Sequence, residues 1–236
     1  MKSSQVDIEK RGFLKQGKER EYLNLSLSEM LALLYSEIPK ERTLGARLLG
    51  KESHFVADKL IHALSIETKL YPKIEICEAL VQHENDSIGL LVNELGRIGT
   101  NQHQCLPEKD FNKDNYPLPR DIAARTLGYI GRAALPKLLE LLEINNEEQV
   151  IEAIDAIGYI CFYDSSNDVY KNLLACFERN LHNDLVRWKI YRAMSCFPQS
   201  VTFLVKQKSL AQNNRLLMEI DRSLRLIEKK KMKFGL

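Results

Sequence analysis

Apolar residues recur along this chain every three or four positions, in stretches of helical length separated by short polar turns. That spacing lines one face of an α-helix and leaves the other to water. The clearest stretch is DIAARTLGYIGRAALPKLLELLE, residues 121–143, and part of it returns in VIEAIDAIGYI, residues 150–160. Both contain an aliphatic residue followed by Gly-Tyr-Ile: Leu127-Gly128-Tyr129-Ile130 and Ile157-Gly158-Tyr159-Ile160.

Aligning the chain on the first residue of that phrase gives Leu49, Leu80, Leu127, Ile157, Met194 and Leu224 as equivalent anchors, at intervals of 31, 47, 30, 37 and 30 residues. Four positions earlier every residue is small or aliphatic: Gly45, Ile76, Ala123, Ala153, Ile190 and Ile220. Two positions earlier every residue is charged: Arg47, Glu78, Arg125, Asp155, Arg192 and Arg222. Read as a helix, each copy has a buried face and a wet face. A second amphipathic stretch follows each of the first five anchors, from His54 to Ile66, Asp86 to Ile98, Ala134 to Glu143, Asp168 to Asn180 and Val201 to Lys208. In the third, Leu135, Leu138, Leu139 and Leu142 form the stripe, and Pro136 sits where a first-turn proline is tolerated. The unit is a pair of antiparallel helices. One such hairpin cannot bury its apolar side alone, so the copies must stack.

DLVRWKIYRAM (184–194), DIAARTLGYIG and ALPKLLELL resemble HEAT repeats of the short bacterial type also found in phycobilisome lyase-like proteins. The shared pattern is an Asp near the first helix start, an Arg, a small residue, Leu-Gly, then a Pro or polar residue opening the second helix. The resemblance spans about residues 39–229. It implies an all-α fold: a right-handed, gently curved α-solenoid of about six two-helix repeats. Residues 1–22 form a polar lead-in, with frayed ends expected, and 23–236 the solenoid, with an insertion at 99–119 and a capping helix at about 213–231. Ser26-x-x-Glu29 is a capping-box signature ahead of MLALLYSEI, and the lysines of EKKKMK suit a helix C-terminus.

Composition narrows the function classes. The net charge is +2, from 34 basic and 32 acidic residues, which calls for neither nucleic acid nor an anionic membrane. Five cysteines, an odd number with no CxxC pair, fit free thiols in a reducing compartment. No run approaches the roughly 18 apolar residues of a membrane span. The expected location is the cytoplasm.

The candidate chemistry is sparse. The insertion GTNQHQCLPEKDFNKDNYPLP (99–119) explains the longest interval, and a loop this long is often functional. His103-x-Cys105 within it lacks the further ligands of a metal site. Gln82-His83-Glu84 is similar to the His-Glu pairs of HEAT-type deoxyhypusine hydroxylases, but occurs once where that family has four copies. There is no nucleophile elbow, phosphate loop or dinucleotide fingerprint. No catalytic residue, cofactor or metal is assigned. The second helices, whose outward faces line the concave side of such folds, offer Asp58, Lys59, His62, Asn93, Glu94, Arg97, Lys137, Glu140, Asn172, Glu178 and Arg179. Their signs alternate, which suits a protein or peptide partner better than phosphates. The expectation is a protein–protein interaction scaffold or adaptor using that surface or the 99–119 loop. The alternatives are a lyase-like, enzyme-associated subunit, or a nucleic-acid-binding module like the HEAT-like DNA glycosylases. Arg125 and Asp155, equivalent in neighbouring copies, are expected to form an ion pair, and Tyr129 and Tyr159 to stack.

Overall fold

Helix starts are written locally. Ser26 Oγ accepts from the Glu29 N–H, and the Glu29 carboxylate accepts from the Ser26 N–H at 2.7 Å, the reciprocal pair expected from Ser-x-x-Glu. The side chains of Asp121, Asn146 and Asn183 each accept from backbone N–H groups at the starts of three later helices. Pro136 stands in the first turn of its helix.

A computed structural model describes residues 4–53, 55–109, 111–164 and 169–234, and every regular element in them is helical. The chain divides into two compact units, Met1–Asn93 and Glu94–Leu236. The first holds α1 (Gln5–Lys10), α2 (Leu27–Leu34), α3 (Pro39–Leu49), α4 (Ala57–Ile66), α5 (Leu70–Gln82) and α6 (Glu84–Asn93). The second holds α7 (Ile122–Ile130), α8 (Leu135–Leu141), α9 (Glu147–Tyr163), α10 (Tyr170–Arg179), α11 (Asp184–Met194), α12 (Val201–Leu210) and α13 (Asn214–Phe234). Two of the expected second-helix starts, His54 and Asp168, lie outside the described residues.

The anchors lie in α3, α5, α7, α9, α11 and α13, and a second helix follows each of the first five, as the sequence predicts. In the first unit α3 packs on α2 and α5, and α4 on α5 and α6. In the second, α7, α9, α11 and α13 pack each on the next, while α8 packs on α9, α10 on α11 and α12 on α13. Leu49, Leu80, Leu127, Ile157 and Met194 have no exposed surface, and Leu224 is partly buried. Neighbouring pairs thus supply the core that no single pair could close.

The polar lead-in is also tied down. Thr43 Oγ1 donates to the Gly12 carbonyl at 2.7 Å, Leu14 is buried, and Glu19 pairs with Lys51 at 3.2 Å. No described helix is long and apolar enough to cross a membrane.

The glycine of the repeated phrase has a packing reason. A Cβ on Gly128 would stand 2.9 Å from Tyr159 Cδ1, so the bare backbone lets the tyrosine of the next copy lie across it. The Tyr129 and Tyr159 rings meet edge-on, with centroids 6.0 Å apart. Gly158 faces a different tyrosine. The equivalent of Tyr159 in the following copy is Cys196, whose thiol donates to the Gly158 carbonyl at 3.3 Å. The space left over is filled by Tyr116 from the long insertion, and a Cβ on Gly158 would overlap the Tyr116 hydroxyl and ring.

Candidate functional site

The residues chosen from sequence for the second-helix surface are exposed or partly exposed. In the first unit, Asp58 and Lys59 pair with each other at 3.0 Å. The Tyr35 hydroxyl donates to the Lys59 carbonyl at 3.0 Å and lies 3.3 Å from His62 Nδ1. Asn93, at the end of α6, is exposed. In the second unit, Lys137 and Glu140 pair at 2.9 Å with both side chains in solvent. Arg179 donates to the Leu142 carbonyl at 2.9 Å, which ties α10 to the end of α8. Glu94 and Arg97 lie in the turn that follows α6 rather than on the helix expected to carry them, and Asn172 and Glu178 lie on α10, the first partly exposed and the second exposed.

The charges on the first helices behave differently, and here the wet-face expectation fails. Asp155, Arg192 and Arg222 are buried, as are Glu152, Lys189 and Glu219 three positions before each of them. Lys189 Nζ bonds Asp155 at 2.6 Å and Glu152 at 3.2 Å. Arg192 bonds Glu219 at 3.3 Å, and Glu219 also holds Arg222 at 2.8 Å. Two acids on α9 thus face two bases on α11, and α13 adds one acid and one base. Each charge is tolerable in the interior because an opposite charge meets it, from the neighbouring helix for five of them and from Glu219 of its own helix for Arg222. Asp155 takes Lys189 as its partner; Arg125 instead donates to the Pro119 carbonyl at 3.0 Å, so the expected Arg125–Asp155 pair does not form.

One ammonium serves two carboxylates at the α9–α11 contact. Burial pushes Glu152 up to about 7, against the pull of Lys189 and with help from the Asp155 charge. Burial would raise Asp155 too, but Lys189 and Arg192 outweigh it and hold that carboxyl below its ordinary value. Asp155, the closer partner of Lys189, is thus the more readily ionised of the two, and Glu152 the more readily protonated.

The 99–119 insertion lies across this ladder. At its start Gln102 donates to Asp121 at 2.8 Å, and Asp121 also accepts from the Gly96 and Ala124 N–H groups. His103 meets the Trp188 ring edge-on at 5.2 Å, and Arg192 stacks on Trp188 with its guanidinium carbon 3.8 Å from the ring centre. Burial, with Lys189, Arg192 and Arg120 nearby, pushes His103 down to about 4 in spite of Asp155. Further on, Arg222 donates to the Asn115 carbonyl at 2.6 Å, and Lys229 pairs with Asp114 at 2.6 Å. Asp110 lies outside the described residues. The insertion is pinned at both ends and buries a tyrosine between them.

The other candidates are structural or isolated. Cys105 is exposed, whereas Cys77, Cys161 and Cys176 are buried. Burial raises the Cys161 thiol to about 12, and Cys196 is raised further, so neither is a nucleophile. His83 Nε2 sits 2.8 Å from the Leu49 carbonyl, stitching α5 to α3. Among the described residues, no group of three or more His, Cys, Asp or Glu is arranged to hold a metal ion.

No protein-family model matches the chain, and no curated protein matches it. A solved structure does. It is the crystal structure of an engineered protein from the Northeast Structural Genomics Consortium, 17% identical over 87% of this chain and 99% of that one, with a TM-score of 0.40.

The buried ladder was the part missed from sequence. Its signal was present: the positions five and two before each anchor read Glu152/Asp155, Lys189/Arg192 and Glu219/Arg222, a helical i, i+3 pair in each copy. Taken one position at a time, each charge looks solvated. Read together, they are complementary across neighbouring copies.

Proposed function

We propose that this chain is a HEAT-like α-solenoid that serves as an adaptor, binding a protein partner through the polar surface of its second helices. The observation that carries this reading is the division of labour between the two kinds of helix. In the second unit six first-helix charges, Glu152, Asp155, Lys189, Arg192, Glu219 and Arg222, are consumed in internal pairs, whereas the second helices keep Lys137, Glu140 and Glu178 in solvent. Alternating signs on a rigid helical framework favour orientation and selectivity toward a protein surface. Acid beside base, as in Asp58–Lys59 and Lys137–Glu140, gives no one-sign stripe of the kind that duplex phosphates require. A cavity of about 520 Å³ in the first unit has Arg47, Lys51, Glu75 and Glu78 in its wall beside Phe13 and Leu14, more charged than the apolar pocket that a pigment-lyase-like role needs.

The test is site-specific photo-crosslinking in cells. A crosslinker placed at His62, Lys137 or Arg179 is expected to trap one discrete protein partner, and one placed at the exposed end of the last helix, at Glu228, is expected to trap none. Adducts with nucleic acid alone, or equal smears from every position, would overturn the adaptor reading.

A further inference from the structure

The tyrosines of the repeated phrase leave a surface that the adaptor reading does not use. Tyr159 lies across the bare backbone of Gly128. Tyr129 and Tyr163 each meet its ring, at centroid distances of 6.0 and 4.9 Å and interplanar angles of 82° and 57°. Tyr129 is 50% exposed and Tyr163 56%, whereas Tyr159 is partly buried. Two half-exposed rings set steeply against a lower one make a shallow aromatic notch with Tyr159 as its floor.

The chain itself shows what such tyrosines hold. Its stretch Tyr116-Pro117-Leu118-Pro119 contains neither helix nor turn, and a following proline biases both Tyr116 and Leu118 to extended backbone. The Tyr163 hydroxyl donates to the Tyr116 carbonyl, just ahead of Pro117, at 3.2 Å. Arg125, one turn before Tyr129 on α7, donates to the Pro119 carbonyl at 3.0 Å. An extended, proline-bearing segment is thus already held through its carbonyls at the edge of the cluster. Among the described residues the hydroxyls of Tyr129 and Tyr159 have no hydrogen-bond partner.

Those two hydroxyls suit one backbone conformation in particular. A polyproline II segment makes no internal hydrogen bonds, so its carbonyls are open to donors, and its prolines have no N–H to satisfy. It is also stiff before it binds, which lowers the cost of ordering it. A helical partner would bring carbonyls that are already bonded. A strand needs an open sheet edge, and the described residues contain none. We infer that the Tyr129–Tyr159–Tyr163 notch binds a proline-rich, extended segment of a partner protein, with a prolyl ring against Tyr159 and its carbonyls on the Tyr129 and Tyr159 hydroxyls. The site lies on first helices, apart from the second-helix surface. It rests on the adaptor reading only in taking the ligand to be a polypeptide.

The probe is acetyl-Pro-Pro-Leu-Pro-Pro-amide, with acetyl-Ala-Ala-Leu-Ala-Ala-amide as its counterpart. Each is titrated to millimolar concentration into the intact protein, and isotope-labelled tyrosine rings are followed by NMR. The proline peptide is expected to shift the Tyr129 and Tyr159 signals saturably and to leave that of buried Tyr191 in place. The alanine peptide should bind about 10-fold more weakly or worse, since it gives up more backbone freedom. Tyr129→Phe keeps the ring and loses the donor; it should weaken the proline peptide about 5-fold with an unchanged thermal midpoint. No saturable shift at Tyr129 and Tyr159, equal binding of the alanine peptide, or undiminished binding by Tyr129→Phe would each overturn the assignment. The protein is alone in solution, so the outcome is independent of whether the second-helix surface holds a partner.

Discussion

At the scale of single residues, the glycines of the repeated phrase are spacers whose value depends on what lies opposite. Gly128 admits a tyrosine from the next copy, and Gly158 admits one from outside the register. Gly158→Ala is expected to destabilise the second unit by about 1–3 kcal/mol, because the added methyl must displace a fully buried ring. In the background of Tyr116→Leu, which removes that ring, the same substitution should cost much less. Urea titration followed by Trp188 fluorescence measures all three variants, and strict additivity would show that Gly158 and Tyr116 do not meet. The conserved look of Gly-Tyr-Ile within the chain was legible in the sequence. The identity of the residue covering Gly158 was not, because Tyr116 belongs to no repeat and no periodicity points to it.

At the scale of elements, the helix pairs were the most legible feature. Second helices expected at Asp86–Ile98 and Val201–Lys208 are found at Glu84–Asn93 and Val201–Leu210, because apolar spacing and polar turns act within a few residues. The contacts between first helices were less legible, since an isolated charge gives no sign of whether a partner will arrive from the next helix. Lys189 is the test of that arrangement. Lys189→Met strands Glu152 and Asp155 in the interior and should cost about 3–5 kcal/mol. Replacing Glu152 with Leu at the same time removes half of the uncompensated charge and should restore part of the loss. Chemical denaturation of the single and double variants decides this. If the single variant is no less stable than wild type, the ladder is not a structural device.

At the scale of the whole molecule, one half-buried group and one buried group give stability opposite dependences on pH. His103 has its pKa lowered from 6.5 to about 4. As pH falls across that range the unfolded chain takes a proton that the folded protein refuses, so stability is lost toward acid. Glu152 has its pKa raised from 4.5 to about 7. As pH rises across that range the unfolded chain releases a proton that the folded protein keeps, so stability is lost toward neutrality. The two slopes largely cancel between about pH 4.5 and 6.5 in the wild type. Glu152→Gln should leave a protein that weakens on acidification through this window, and His103→Gln one that weakens as pH rises through it. Urea midpoints across the window, read at Trp188, give both signs, and matching slopes in the two variants would refute the pair. None of this was legible in composition, where a net charge of +2 conceals six opposed charges in one interior.

The ring that Tyr116 places on Gly158 bears on how such a chain changes over time. Detours between repeats ordinarily tolerate trimming and drift. This one has become a spare part of the lattice, filling a vacancy that Cys196 is too small to occupy. Its length is therefore fixed from within, and a tyrosine arriving at position 196 would take over that one task while the ties of Asn115 to Arg222 and of Asp114 to Lys229 still held the detour in place.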